Sequence, residues 1–352
     1  MKGLEIQDIW KSFGEVDVLR GISFQQKKGE ILALLGPSGS GKTTLLEIIA
    51  GLAFPDQGDC LWNGKSLSGV APHLRNFGLM FQEYVLFPHK DVGENIAFGL
   101  KMAGTEREIA SARVTEVLDL VGLSGLEDRD PATLSGGEQQ RIALARSLAP
   151  EPRLVMLDEP LGALDRSIRE RLIGELRDIL KKSSQTALYV THDQEEAFRI
   201  ADRIVILGNG KTAQIGTPRE IYHKPNSPYI ARFLGMNNLL DGKAKPTTEG
   251  TVLETDIGSW LVNDNDDHPG PGTILIRSDQ VQIGVADDIR NVLLTGKLLG
   301  SSFSGSAIQI KVEVKGQVLE FSCSDCGMNL PQNGEPIQIS FIPNKALHFF
   351  PE

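Results

Sequence analysis

Ile31-Leu32-Ala33-Leu34-Leu35 is a continuous apolar run, and it passes directly into Gly36-Pro37-Ser38-Gly39-Ser40-Gly41-Lys42-Thr43. An apolar run of strand length bounded by glycine reads as a strand buried on both faces. The eight residues after it fit G-x-x-x-x-G-K-[ST]. Small residues there let the backbone curl so that its N–H groups converge on phosphate oxygens, and a following helix adds its positive N-terminal end. Lys42 is expected to reach the β- and γ-phosphates of a nucleotide, and the Thr43 hydroxyl is expected on Mg²⁺. Thr44, one residue further, belongs to the same expected site.

Working outward, similar runs recur. Leu154-Val155-Met156-Leu157 ends at Asp158, Ala187-Leu188-Tyr189-Val190 at Thr191-His192, and Ile204-Val205-Ile206-Leu207 at Gly208. Between them, residues 43–50, 107–121, 137–149 and 167–183 read as helices. The alternation predicts an α/β domain with a parallel sheet covered by helices. Ligands in such sheets gather at the carboxyl ends of the strands. Asp158 and Glu159 stand there: Asp158 is placed to hold Mg²⁺, through water, and Glu159 to orient an attacking water as base. Pro160 stops the strand.

Leu134-Ser135-Gly136-Gly137-Glu138-Gln139-Gln140-Arg141 lies between those two motifs. A serine followed by two glycines opens a predicted helix and makes a second anion-binding helix start. This stretch resembles the signature sequence of ABC ATPases, and other pieces fall in that family's order. Phe81-Gln82-Glu83-Tyr84 resembles the loop whose glutamine touches Mg²⁺ and senses a membrane partner. Leu161-Gly162-Ala163-Leu164-Asp165 resembles the loop at the dimer interface. Thr191-His192-Asp193 resembles the switch whose histidine contacts the γ-phosphate. Lys11-Ser12-Phe13-Gly14 resembles the loop whose aromatic ring stacks on adenine, with Val18 packing nearby. A lone histidine after a strand, or a lone phenylalanine near the N-terminus, is usually structural; the ordered set carries the resemblance. It covers residues 1 to about 235.

The resemblance implies a P-loop NTPase fold over residues 1–236, with a helical subdomain at about 88–150. It also implies that ATP lies between the phosphate loop of one subunit and the signature of another. Ser135, Gly136, Gly137 and Glu138 would then act on nucleotide held by a second copy. Each motif occurs once, so a homodimer with two composite sites is expected, with a heterodimer as the other arrangement. The region around residues 82–100 is expected to receive a membrane permease subunit. An external substrate-binding protein completes such a complex.

Beyond Asn237-Asn238 the texture changes to Gly, Pro, Asn, Asp and Thr with short strand-like pieces at 273–277, 307–312, 317–321 and 336–341. That spacing predicts a small β-barrel or sandwich at 237–352. It resembles the accessory, TOBE-like domain of importer ATPases for ferric iron, polyamines, sulfate, molybdate, thiamine and sugars. Leu86-Phe87-Pro88-His89 is closer to the iron and polyamine branches, and the short tail leans the same way. Residues 263–272 read as a loop. Cys323-Ser324-Asp325-Cys326 lacks the second pair a zinc site needs and reads as a turn with incidental cysteines.

Composition excludes other classes. The 352 residues carry a formal net charge of −10, without the basic stripe of a nucleic-acid binder. No apolar stretch reaches the roughly 18–20 residues that cross a bilayer. MKGLEIQDIW lacks the apolar core of a signal peptide. A peripheral protein on the cytoplasmic face of a membrane is expected. A non-transport ABC ATPase is the rival reading, but no long coiled coil, zinc insert or second ATPase half accompanies the motifs.

Overall fold

Every side chain from Ile31 to Leu35 is fully buried, as a central parallel strand requires. The computed structural model describes residues 2–82, 85–162, 166–263, 269–284, 292–305, 307–324 and 330–352. It divides into two compact units, Met1–His223 and Lys224–Glu352.

In the first unit the chain runs β1 (Lys2–Phe13), β2 (Val16–Lys27), β3 (Ile31–Leu35), α1 (Lys42–Ala50), β4 (Gln57–Trp62), β5 (Lys65–Ser66), β6 (Phe77–Met80). Three helices follow, α2 (Val92–Met102), α3 (Arg107–Leu120) and α4 (Gly136–Leu148). Then come β7 (Leu154–Asp158), α5 (Arg166–Lys182), β8 (Ala187–Thr191), α6 (Gln194–Ile200), β9 (Arg203–Gly208), β10 (Lys211–Gly216) and α7 (Pro218–His223). A six-stranded sheet has the order β10-β9-β3-β8-β7-β6. Its β9, β3, β8, β7 and β6 are parallel, and β10 pairs antiparallel with β9 at the edge. The expected all-parallel sheet is thus mixed. A return strand needs only the tight turn at Asn209-Gly210, both at positive φ.

A second, antiparallel sheet of order β2-β1-β4-β5 also belongs to this unit. Lys11–Phe13, expected in a loop, ends β1, and the hairpin turn follows at Gly14-Glu15. The two sheets share one core: Leu4, Ile6, Leu19 and Ile22 pack with Leu32, Leu34, Leu45, Ile48, Leu188 and Val205. Each fully buried aliphatic side chain of this kind contributes about 1.5–3 kcal/mol.

In the second unit the short helix α8 (Pro228–Phe233) packs on β14, so the unit begins ahead of residue 237. The strands are β11 (Leu239–Thr247), β12 (Gly250–Thr255), β13 (Ser259–Val262), β14 (Gly270–Ile276) and β15 (Val281–Ile283). They continue as β16 (Val292–Phe303), β17 (Ala307–Val314), β18 (Gln317–Ser324), β19 (Pro336–Phe341) and, after α9 (Pro343–Ala346), β20 (Leu347–Pro351). Two five-stranded antiparallel sheets result, β13-β12-β11-β14-β20 and β15-β19-β16-β17-β18. The predicted small β domain is present. Gly270-Pro271-Gly272, expected in a loop, opens β14, pairing with β11 residues 242–244. Cys323 lies in β18 and in the core rather than in a turn; Cys326 lies outside the described residues.

Candidate phosphate and carboxylate site

The site grows from the carboxyl ends of three adjacent strands, β3, β8 and β7. After Leu35 the chain passes so close to β9 that a β-carbon on Gly36 would sit 2.5 Å from the Leu207 carbonyl oxygen. Only glycine fits there. Gly41 has φ +93°, and a β-carbon on it would strike Leu19 at 2.5 Å and Val18 at 3.0 Å. Val18 is thereby packed against the loop.

Helix α1 opens from Gly41 without a side-chain cap and without an acidic residue in its first turn. Its first N–H groups therefore lack the usual capping partners. The Ser40 hydroxyl is buried with no hydrogen-bond partner, and space beside Gly39 is open. An orphaned hydroxyl and an uncapped helix start in a glycine-lined cradle fit a polyphosphate. Lys42 is 6% exposed and donates to the carbonyls of Gly36 at 2.8 Å and Pro37 at 3.0 Å. Thr43 is exposed and Thr44 half-buried. Phe13 is an exposed aromatic, 55% accessible, with the Lys11 ammonium 5.4 Å from its ring centre.

Asp158, the last residue of β7, is 9% exposed. Burial pushes its carboxyl upward from the ordinary range; the Glu159 charge adds to this and Lys42 opposes it. Burial also lowers the pKa of Lys42, against the attraction of Glu159 and Asp158. The two directions agree: each charge loses more on leaving water than it recovers from the other. A ligand that brings both signs of charge would relieve both.

Glu159 has φ +44°, a left-handed conformation that costs a non-glycine residue about 1–2 kcal/mol. Its N–H donates to the Val190 carbonyl at 2.9 Å, and its own carbonyl accepts from the Gly162 N–H at 3.1 Å. These bonds hold the backbone in place. The carboxylate then accepts from the Nδ1–H of His192, with Nδ1 2.8 Å from Oε1. The Gln82 amide nitrogen stands 3.6 Å from where a β-carbon on Gly162 would lie, so Gln82 reaches the same turn. Lys42, Asp158, Glu159, His192 and Gln82 are thus brought together. Thr43, Gln82 and Asp158 offer hydroxyl, amide and carboxylate oxygens, the hard donors that suit Mg²⁺.

Ser135 caps α4 and forms a full capping box with Glu138. The Ser135 N–H and hydroxyl both donate to Glu138 Oε2, at 2.8 and 2.7 Å. Gly136 and Gly137 form the first turn of α4. Nothing among the described contacts joins these residues to Lys42, Asp158 or Glu159. Asp165 lies outside the described residues.

Two residues escaped the sequence reading. Asn95, fully buried on α2, accepts from the Phe87 N–H at 2.8 Å and donates to the carbonyls of Phe87, Lys90 and Asp91 at 3.2, 3.1 and 2.9 Å. Arg146 on α4 donates to the Val85 carbonyl at 2.9 Å and lies 5.3 Å from the centre of the Phe87 ring. Together they fix the backbone at Val85, Phe87, Lys90 and Asp91. The partner of Arg146 lies 61 residues away in sequence, and that of Asn95 is a loop backbone whose path the residue types do not mark.

A family model described as ABC transporter matches residues 19–162. The Fe(3+) ions import ATP-binding protein of Streptomyces avermitilis is 43% identical over 94% of this chain and 93% of its own. The spermidine/putrescine import ATP-binding protein of Clostridioides difficile is 40% identical over 90% of this chain and 89% of its own. The structure of cbiO1 from Clostridium perfringens, part of an ABC transporter complex, aligns with TM-score 0.59 at 28% identity. That alignment covers 63% of this chain and 90% of the other.

Proposed function

Because the chain belongs to the family of ATP-binding subunits of ABC importers, an ATPase coupled to transport through membrane permease subunits, we propose that the site above is its hydrolytic centre. The observation that carries this reading is the convergence of Lys42, Asp158, Glu159 and His192 at adjoining strand ends. The uncapped start of α1 and residues 36–44 cradle the phosphates of ATP. Phe13 stacks on the adenine and Val18 packs beside it. Lys42 exchanges its two carbonyl partners for phosphate oxygens. Glu159 holds the attacking water and takes its proton, and His192 turns from Glu159 toward the γ-phosphate. Thr43, Asp158 and Gln82 would hold Mg²⁺, which would supply positive charge against the phosphates.

The chain works as a homodimer with ATP sandwiched between copies. Ser135 and Gly137 of one copy cap the γ-phosphate held by Lys42 of the other. ATP then biases the pair toward closure, and hydrolysis releases it. The segment around residues 82–100 docks the permease, and the strands within 237–352 form a TOBE-like accessory domain, with α8 ahead of them in the same compact unit. Among the described residues no helix is long and apolar enough to cross a membrane, which accords with a peripheral place on the cytoplasmic face. A separate substrate-binding protein delivers the solute. Ferric iron is the proposed solute, supported by two iron-import relatives at 43% and 44% identity over at least nine-tenths of the chain. Polyamine and sulfate are the other candidates.

Size-exclusion chromatography with light scattering on Glu159→Gln tests the paired site. ATP is expected to shift monomer to dimer. A monomer with ATP demonstrably bound would overturn the composite site.

A further inference from the structure

Behind the switch histidine lies a carboxylate that the mechanism does not use. Glu196, on α6, is 4% exposed. Its Oε2 accepts from the Tyr189 hydroxyl and from the Thr191 hydroxyl, both at 2.8 Å. The Arg169 Nε, from α5, stands 3.6 Å from its Oε1. Burial raises the pKa of the Glu196 carboxyl, with the two hydroxyls and Arg169 acting the other way and Asp193 adding to the rise. A carboxylate kept this deep needs its donors.

The donors matter because of what Thr191 does next. Its oxygen also accepts the N–H of Asp193 at 2.9 Å, closing a tight turn in which His192 is the only residue enclosed. The hydroxyl has one proton. While Glu196 accepts that proton, a lone pair of the oxygen faces the Asp193 N–H. Asp193 is fixed from three more directions: its carboxylate accepts the N–H groups of Glu195 and Glu196 at 2.8 and 3.2 Å and a guanidinium N–H of Arg169 at 3.1 Å. Both flanks of His192 are therefore fastened to one buried acid, while the imidazole itself is 56% exposed and reaches Glu159.

We infer that Glu196 is a positioning residue for His192, acting through the Thr191 hydroxyl to aim the imidazole at the reacting phosphate. The inference rests on the reading of His192 given above. Glu196 touches neither Glu159 nor the phosphate loop in the described contacts, so its effect on turnover passes through the 191–193 turn. Sub-ångström precision at a reacting group governs rate more than binding.

The test is a double-mutant cycle on the full chain, measuring ATPase kcat and KM per folded molecule, with folding checked by circular dichroism and ATP binding. Glu196→Gln keeps the shape but places an amide where Arg169 meets an acid. It is expected to lower kcat about ten- to a hundredfold with KM for ATP little changed. In a His192→Ala background the same change is expected to have almost no further effect, because the group it positions is gone. Thr191→Val should reproduce the loss and Thr191→Ser should restore the parent rate. This pair keeps the test open if Glu196→Gln fails to fold. Equal factors from Glu196→Gln in both backgrounds, or parent turnover in Thr191→Val, would overturn the inference. Parent turnover in His192→Ala would instead sink the reading of the histidine itself.

Discussion

His192 Nδ1 lies 2.8 Å from Glu159 Oε1, bridging the ends of neighbouring strands β8 and β7. An ionised carboxylate only accepts, so the Nδ1 proton sits between them and the far nitrogen of the ring is left for another partner. Glutamine at 159 keeps an accepting oxygen for the imidazole but is no base. Glu159→Gln is expected to hydrolyse ATP at least ~10²-fold more slowly while its ATP affinity stays within a few-fold. Steady-state turnover with a nucleotide-binding assay measures both; near-parent turnover would remove Glu159 from its role.

The left-handed backbone of Glu159, φ +44°, makes a second claim, about stability. Glycine adopts that conformation without strain and alanine does not. Glu159→Gly should therefore be more stable than Glu159→Ala, by up to about 1 kcal/mol once the extra flexibility of unfolded glycine is offset. Urea unfolding of the two variants decides it. The opposite order would mean the strain is not there.

Asp158→Asn should separate stability from activity. The Asp158 pKa is raised in the fold, chiefly by burial and then by Glu159. Its ionisation is therefore less favourable folded than unfolded. Stability falls as pH rises from the ordinary carboxylate range to the raised value and stays lowered above it. Asparagine removes that loss, so the variant should melt a few degrees higher at neutral pH, the scale on which about 1 kcal/mol registers in a unit of this size. The difference should vanish at acid pH, while Mg²⁺-dependent hydrolysis is lost. Scanning calorimetry at two pH values, and turnover with and without a chelator, give the outcome. A lower melting temperature at neutral pH would contradict it.

Asn95→Ala leaves the Phe87 N–H without its acceptor and the Lys90 carbonyl without its side-chain donor, while the Phe87 and Asp91 carbonyls keep the N–H groups of Lys90 and residue 95. A cost of about 2–4 kcal/mol is expected, since each buried group left unpaired costs roughly 1–3. Denaturant unfolding measures it, and a change below about 0.5 kcal/mol would show that water replaces the amide there.

All the parallel strands but the half-buried β6 were legible because burial on both faces writes itself as unbroken apolar runs, and the phosphate loop because Gly36 and Gly41 stand where only glycine fits. Strand β1 was not. Its alternation Leu4, Ile6 slips at Gln7-Asp8, where the register shifts and Asp8 takes φ +48°, so that Ile9 rather than Asp8 returns to the core. A bulge defeats a period-two reading. Glu196 escaped for another reason. It stands beside Glu195 in the first turn of α6, which Asp193 caps, and nothing in those residues tells that it turns inward to Tyr189 and Thr191. Partners across the fold decide that.

The two compact units close separate apolar interiors, one around Leu32, Leu45 and Leu188 and the other around Leu298, Phe321 and Phe341. A heating scan of the whole chain should then resolve into two cooperative melting events with separate enthalpies. Substitutions at Asp158, Glu159 or Asn95 would displace one of these peaks. The other, left where it was, serves as a thermometer inside the same molecule.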